Sequence, residues 1–145
     1  ILNEARQLAD DGVKEITLVA QDSSRYGEDR GEVDALARLL RSLGEIEGIE
    51  WIRPMYAFPT HISPAFLSAI AETAKVTKYL DMPLQHASRN VLKLMKRGGT
   101  RESLERLIGR VRDAVPGIAI RTTFITGFPG ETEEDFDELV KFIRN

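Results

Sequence analysis

The sequence predicts an α/β fold of parallel βα repeats forming part of an open, partial TIM-type barrel. Three observations carry that reading. Four β-like runs, residues 14–22, 49–58, 77–85 and 118–127, alternate with helical patterns, as consecutive βα units do. The runs are mostly apolar, as strands covered on both faces must be. Their polar residues, Gln21, Asp22, Arg53, Asp81, Gln85 and Arg121, fall mostly in the latter half of a run or at its carboxyl end, where parallel sheets bind ligands. Four units are too few to close an eightfold barrel. An arc of a larger barrel is expected, with a compact doubly wound sheet as the alternative.

The elements follow in order. The chain opens in helical register, with Ile1, Leu2, Ala5 and Leu8 able to share a face. After the first run, Val33, Leu36, Leu39, Leu40 and Leu43 recur at helical spacing, and Gly44 stops them. Ser63-Pro64 is an N-cap with proline at the first helical position, opening "PAFLSAIAET". Ser88 caps "RNVLKLMKR", which ends at Gly98-Gly99. Leu104, Leu107, Ile108 and Val111 mark a further helix that ends before Pro116-Gly117. Thr132 and Asp135 resemble a capping box for a last helix that closes on "ELVKFIRN", with no stop signal beyond the final Asn. Both ends read as cut, so an internal segment of a longer protein is expected. An arc lacking its neighbouring strands exposes sheet edges, which invite self-association.

Composition removes several function classes. The chain has 20 Lys plus Arg against 23 Asp plus Glu, a net charge of −3, and so no broad basic footprint for nucleic acid. Its apolar runs are too short to span a membrane and no leader pattern opens it, which makes a cytoplasmic origin the default. It has no cysteine and only two histidines, His61 and His86, so neither a thiol nucleophile nor a zinc site is expected within it.

Five stretches stand out chemically. "GFPGE" (127–131) is a strand-to-helix turn without the Lys-Ser/Thr of a P-loop. It suits either a flat uncharged ring lying on Gly127 and Phe128, or an ordinary tight turn before an N-cap. The loop "AQDSSRYGEDRGE" (20–32) is long for a βα connection; Gln21 and Asp22 offer groups for an ammonium, or the loop is simply solvated. Gln85 and His86 end the third run, where they either bind ligand hydroxyls or serve the helix start. Arg53 and Arg121 each need an anion inside a parallel strand, either an internal carboxylate such as Asp81 or a ligand. "KLMKRGGTR" (93–101) gathers cations at a helix C-terminus, where the dipole favours them without any nucleic acid.

Taken together, "GVKEITLVAQDSSRYG", "RPMYAFPTHIS", "KYLDMPLQHASRNVLKLMKRGGTRE" and "RTTFITGFPGETEEDF" resemble the methylthiotransferase branch of the radical S-adenosylmethionine (SAM) enzymes. Order and spacing fit across nearly all 145 residues. The likeness is greatest to members that add a methylthio group to an aspartate β-carbon of a small-subunit ribosomal protein, with tRNA-modifying members second. A non-radical βα domain holding an anionic metabolite or a ribosomal partner is the third reading. The resemblance implies a six-stranded partial barrel, with this chain, residues 1–145, as about strands two to five. It implies SAM across the strands' carboxyl ends: Gln21 and Asp22 at the methionine amino group, Gln85 near the ribose, Arg121 at the carboxylate, and Gly127 and Phe128 under the adenine; His86 and Arg53 join these as cofactor-binding candidates on their local chemistry. In the family pattern G-x-I-x-G-x-x-E, Thr123 stands here at the first glycine and Gly130 at the glutamate, with Glu131 one residue on. The resemblance also implies a 4Fe-4S cluster on a C-x3-C-x2-C loop, and amino- and carboxyl-terminal domains, all outside this chain. No side chain of this segment is required as acid, base or nucleophile, and the segment alone is expected to be inactive.

Overall fold

The computed structural model describes residues 1–144; Asn145, the one stop signal read for the last helix, lies outside them. The order is α1 (Leu2–Asp10), β1 (Glu15–Leu18), α2 (Ala35–Gly44), β2 (Trp51–Pro54), α3 (Pro64–Glu72), β3 (Tyr79–Asp81), α4 (Arg89–Leu94), α5 (Arg101–Ala114), β4 (Ala119–Arg121) and α6 (Glu133–Arg144). Short 3-10 turns lie at 23–25, 28–30 and 59–61.

All strand pairs are parallel. β1 lies beside β2 with Thr17 opposite Arg53, and β3 beside β4 with Asp81 opposite Arg121. The two pairs are joined through a bridge between Ile52 and Val76, and further along by the Ala57 N–H donating to the Asp81 carbonyl at 2.8 Å. Each strand therefore neighbours the next in sequence. A doubly wound sheet would reverse that order at a switch point; a barrel arc does not.

The helices cover one face, α1 against α2, α2 against α3 and α3 against α5. Side chains alternate across a strand, so Ile52 and Leu80, both 0% exposed, point into this helix layer. There they meet Leu40, Leu43, Leu67 and Ile70, which helical spacing brings onto single faces of α2 and α3. Their sequence neighbours Arg53, Tyr79 and Asp81 point to the opposite face. No described helix is long and apolar enough to cross a membrane.

The strands are far shorter than the apolar runs that announce them. Pro54 and Pro83 remove ladder donors, and Tyr56 and Gln85 adopt left-handed backbone, φ 56° and 73°. Beyond those points the chain stays hydrogen-bonded to its neighbour but no longer runs as a regular strand. Two helix boundaries also differ. Val33 is not on the α2 face: Asp34, at φ 52°, breaks the register, α2 starts at Ala35 and Val33 is 77% exposed. α4 ends at Leu94, three residues before the end of "RNVLKLMKR", because Lys96 turns left-handed at φ 56°. Of the four apolar residues at the start only Ala5 is buried; Ile1 and Leu8 are exposed.

Ile52 touches both halves of the sheet and the helix layer. Ile52→Ala removes buried methylene groups and leaves a cavity there. It is expected to cost about 2–5 kcal/mol, read as a lower urea midpoint at unchanged slope.

Candidate functional site

The site is the rim formed by the strands' carboxyl ends, and hydrogen bonds stitch its loops one to the next. After β1, Asp22 caps the turn at 23–25 by accepting from the Ser24 N–H at 3.1 Å. Its second oxygen pairs with His61 Nδ1 at 2.8 Å. The Ser23 N–H donates to the Tyr56 carbonyl at 3.0 Å, and the Phe58 N–H to Ser24 Oγ at 3.1 Å. After β3, the Leu84 N–H donates to Thr122 Oγ1 at 3.1 Å and the Gln85 N–H to the Thr123 carbonyl at 2.8 Å. The Ile125 N–H returns to the Gln85 carbonyl at 2.8 Å.

The turn at 127–131 is held from within by its own glutamate. Glu131 Oε2 accepts the Phe128 N–H at 2.9 Å, and Oε1 lies 3.5 Å from Nε2 of the fully buried His86. His86 Nδ1 in turn accepts the Ser88 N–H at 3.0 Å. A nitrogen that accepts there leaves the neutral ring's proton on Nε2, facing Glu131. Gly127, at φ 74°, is exposed with open space where a Cβ would stand. Gly130, at φ 89°, has the tip of the Leu94 side chain 2.9 Å from that position; Leu94 can give way, and the left-handed backbone is what favours glycine there.

Beneath this turn, α4 and α6 share one carboxylate. Buried Asp135 accepts from the Ser88 hydroxyl, from Asn90 Nδ2 at 2.7 Å and from the Thr132 N–H at 3.1 Å. The Thr132 hydroxyl accepts the Asp135 N–H at 3.3 Å, completing the expected capping box. These donors, the Ser88 hydroxyl foremost, hold the Asp135 carboxyl down at about 2 against an ordinary 3.8, although burial opposes them.

The site residues named from the sequence divide into two groups. Arg53, Asp22 and His86 are already engaged internally. Arg53 Nε donates to Glu15 at 2.7 Å and its guanidinium lies 5.0 Å over the Tyr79 ring, so its carboxylate is Glu15 and not Asp81. Asp22 serves Ser24 and His61, and His86 serves the start of α4. Arg121, Gly127 and Gln21 are exposed at the rim, Phe128 is half-buried there, and Gln85 stands among them with its side-chain oxygen buried. Arg121 gives one bond, 3.2 Å, to Asp81, whose side chain is 0% exposed, while its own is 55% exposed. Four of its five N–H donors are therefore uncommitted. Gln85 Oε1 is buried with no partner. Gln21 is exposed.

Sequence reading missed an apolar component of the rim. Val19, Tyr56 and Ile125, one, two and four residues past β1, β2 and β4, expose 68%, 41% and 42% of their surfaces. Their apolar character suggests burial in the fold, and only the position just past each short strand reveals the exposure. An amide acceptor, a guanidinium with open donors and exposed apolar faces fit a ligand carrying hydroxyls, a carboxylate and a flat ring, as SAM does. Among the described residues, no three His, Asp or Glu side chains gather to hold a metal ion.

Over residues 1–143 the chain matches the radical SAM superfamily. It is 51% identical over 145 residues to the ribosomal protein uS12 methylthiotransferase RimO of Solibacter usitatus, covering 99% of this chain and 31% of that one. To the RimO proteins of Koribacter versatilis and Flavobacterium psychrophilum it is 49% and 51% identical over 144 residues, covering 99% of this chain and 29% and 33% of theirs. The chain thus spans about three-tenths of the length of these curated relatives. The radical SAM methyltransferase TsrM of Kitasatospora setae, solved with cobalamin and a [4Fe-4S] cluster, superposes with TM-score 0.70 at 21% identity over 99% of this chain and 28% of that one. That likeness concerns the fold alone.

Because Asp135 titrates lower folded than unfolded, the stability it supplies is complete above its ordinary pKa of 3.8 and lost as pH falls through about 2. Urea midpoints measured from pH 5 to pH 2 should drop across that window, and Asp135→Asn should flatten the drop.

Proposed function

The chain belongs to the radical SAM superfamily, and from that premise we propose that it is the SAM-positioning segment of a methylthiotransferase. The substrate of the whole enzyme is an aspartate β-carbon of a small-subunit ribosomal protein. One observation carries this reading: identity of about half over 99% of the chain to proteins named as ribosomal protein uS12 methylthiotransferases. In the proposal the segment supplies about strands two to five of the barrel, residues 1–145. The cluster-binding loop and the flanking domains belong to the rest of a longer protein working in the cytoplasm.

The chain's own residues have a binding and orienting task. Arg121 takes the methionine carboxylate on donors that Asp81 leaves free. Gln85, whose buried side-chain oxygen has no partner within the chain, turns it to a ribose hydroxyl when SAM binds, and Gln21 lies at the amino group with Asp22 behind it. The open backbone at Gly127, beside Ile125 and Phe128, seats the adenine, with Glu131 and His86 fixing the turn. SAM and its reducing 4Fe-4S cluster supply the radical chemistry when bound. The residues present do not hold that cluster, since the chain has no cysteine, and its ligands are assigned outside these residues.

The test uses the full-length protein reconstituted with iron and sulfide under reducing conditions. 5′-Deoxyadenosine should form, and the small-subunit ribosomal protein should gain the mass of a methylthio group while tRNA does not. Absence of SAM cleavage would sink the enzyme reading, and modification of tRNA alone would replace the substrate. Gln85→Gly removes the amide and relaxes the left-handed backbone. It should weaken SAM binding about tenfold, as loss of one hydrogen bond to a polar ligand does, without lowering the melting temperature.

A further inference from the structure

Behind the rim loops that follow β2 and β3, a cavity of about 570 Å³ opens between residues 58–60 and α5. Leu84, Leu92 and Leu104, all buried, form its floor. Arg97, Arg106 and Arg110 line it together with the Gly98-Gly99 turn, and no acidic residue does. Among the described residues none of the three arginines forms an ion pair. Arg97 lies 4.6 Å over the Phe58 ring and donates to the Pro83 carbonyl at 3.4 Å; Arg110 donates to the Ile62 carbonyl at 3.3 Å. Partial burial with no opposing charge pulls the Arg97 guanidinium below its ordinary pKa. Of the eleven other arginines in the sequence, Arg25, Arg30, Arg38, Arg41, Arg53, Arg101 and Arg121 are ion-paired among the described residues; what sets Arg97, Arg106 and Arg110 apart is that they converge on one cavity without an acid in its lining. Helix-dipole compensation does not account for Arg97, because α4 has already ended at Leu94.

We propose that this cavity binds a small phosphomonoester with an apolar or aromatic body. Three guanidinium groups match the nearly double charge and three acceptor oxygens of such a group better than the single charge and two oxygens of a carboxylate. The leucine floor takes the apolar body. A nucleic-acid backbone fits less well, since the site is concave and the surrounding chain is acidic overall.

The experiment is calorimetric titration of the full-length protein with phenyl phosphate, inorganic phosphate and a single-stranded RNA oligonucleotide. Each is repeated on Arg106→Ala, a substitution that removes no hydrogen bond within the chain. Phenyl phosphate should bind more tightly than inorganic phosphate, lose about tenfold or more in affinity in the variant, and leave SAM affinity unchanged in both proteins. No binding at millimolar concentration, equal affinity for the two phosphates, or an affinity indifferent to Arg106 would overturn the proposal. Tighter, steeply salt-dependent and Arg106-dependent RNA binding would overturn it in favour of a nucleic-acid surface. Neither result bears on whether SAM occupies the rim.

Discussion

The carboxyl rim depends on Asp81. Its carbonyl takes the Ala57 N–H and ties β3 to the chain leaving β2. Its carboxylate, 0% exposed, draws the Arg121 guanidinium across from β4. A buried carboxylate is costly unless a cation or hydrogen bonds meet it, so the pairing with Arg121 answers a need internal to the fold. One Asp81 oxygen still has no partner. The ion pair is thus left unsaturated on both sides, with a half-exposed cation as its outward end. The fold thus presents the Arg121 cation to solvent while tethering it to Asp81.

The same economy runs through the loops. Three- and four-residue strands offer little ladder, and the backbone groups beyond them still need partners. Successive loops meet that need for one another, from Ser23 to Tyr56, from Ala57 to Asp81 and from Gln85 to Thr123 and Ile125. The rim is therefore a continuous hydrogen-bonded surface in which left-handed residues at Tyr56 and Gln85 turn side chains away from the sheet. Strain of this kind persists only where neighbouring bonds over-determine it, and both residues lie between such bonds.

How much of this was legible in the sequence follows from which forces are local. Helix starts at Ser63, Ser88 and Thr132 were readable because a cap is a contact between residues two or three apart. Strand order followed from βα alternation. Strand length did not, since neither Tyr nor Gln advertises a positive φ as Gly or Asn does. Arginine partners were out of reach for a different reason: they depend on register. Arg53 and Arg121 looked equivalent, yet the pairing of Thr17 with Arg53 puts Glu15 within reach of one, and that of Asp81 with Arg121 settles the other. Glu131 stood in the sequence only as a glutamate one residue off the family pattern; the folded turn shows it satisfying Phe128 and facing His86.

Residues 83–88 join the two surfaces described above. The Leu84 N–H holds Thr122 at the rim while the Leu84 side chain lies in the floor of the arginine-lined cavity. The next residue, Gln85, carries the unpartnered rim oxygen, and the Pro83 carbonyl before it accepts from Arg97. Packing at interior density transmits displacement between such neighbours. The cation-rich cavity and the rim are chemically distinct, one apolar and positively lined, the other mixed and centred on a single half-neutralised arginine. Mechanically they share one wall, and the backbone strain at Gln85 sits in that wall.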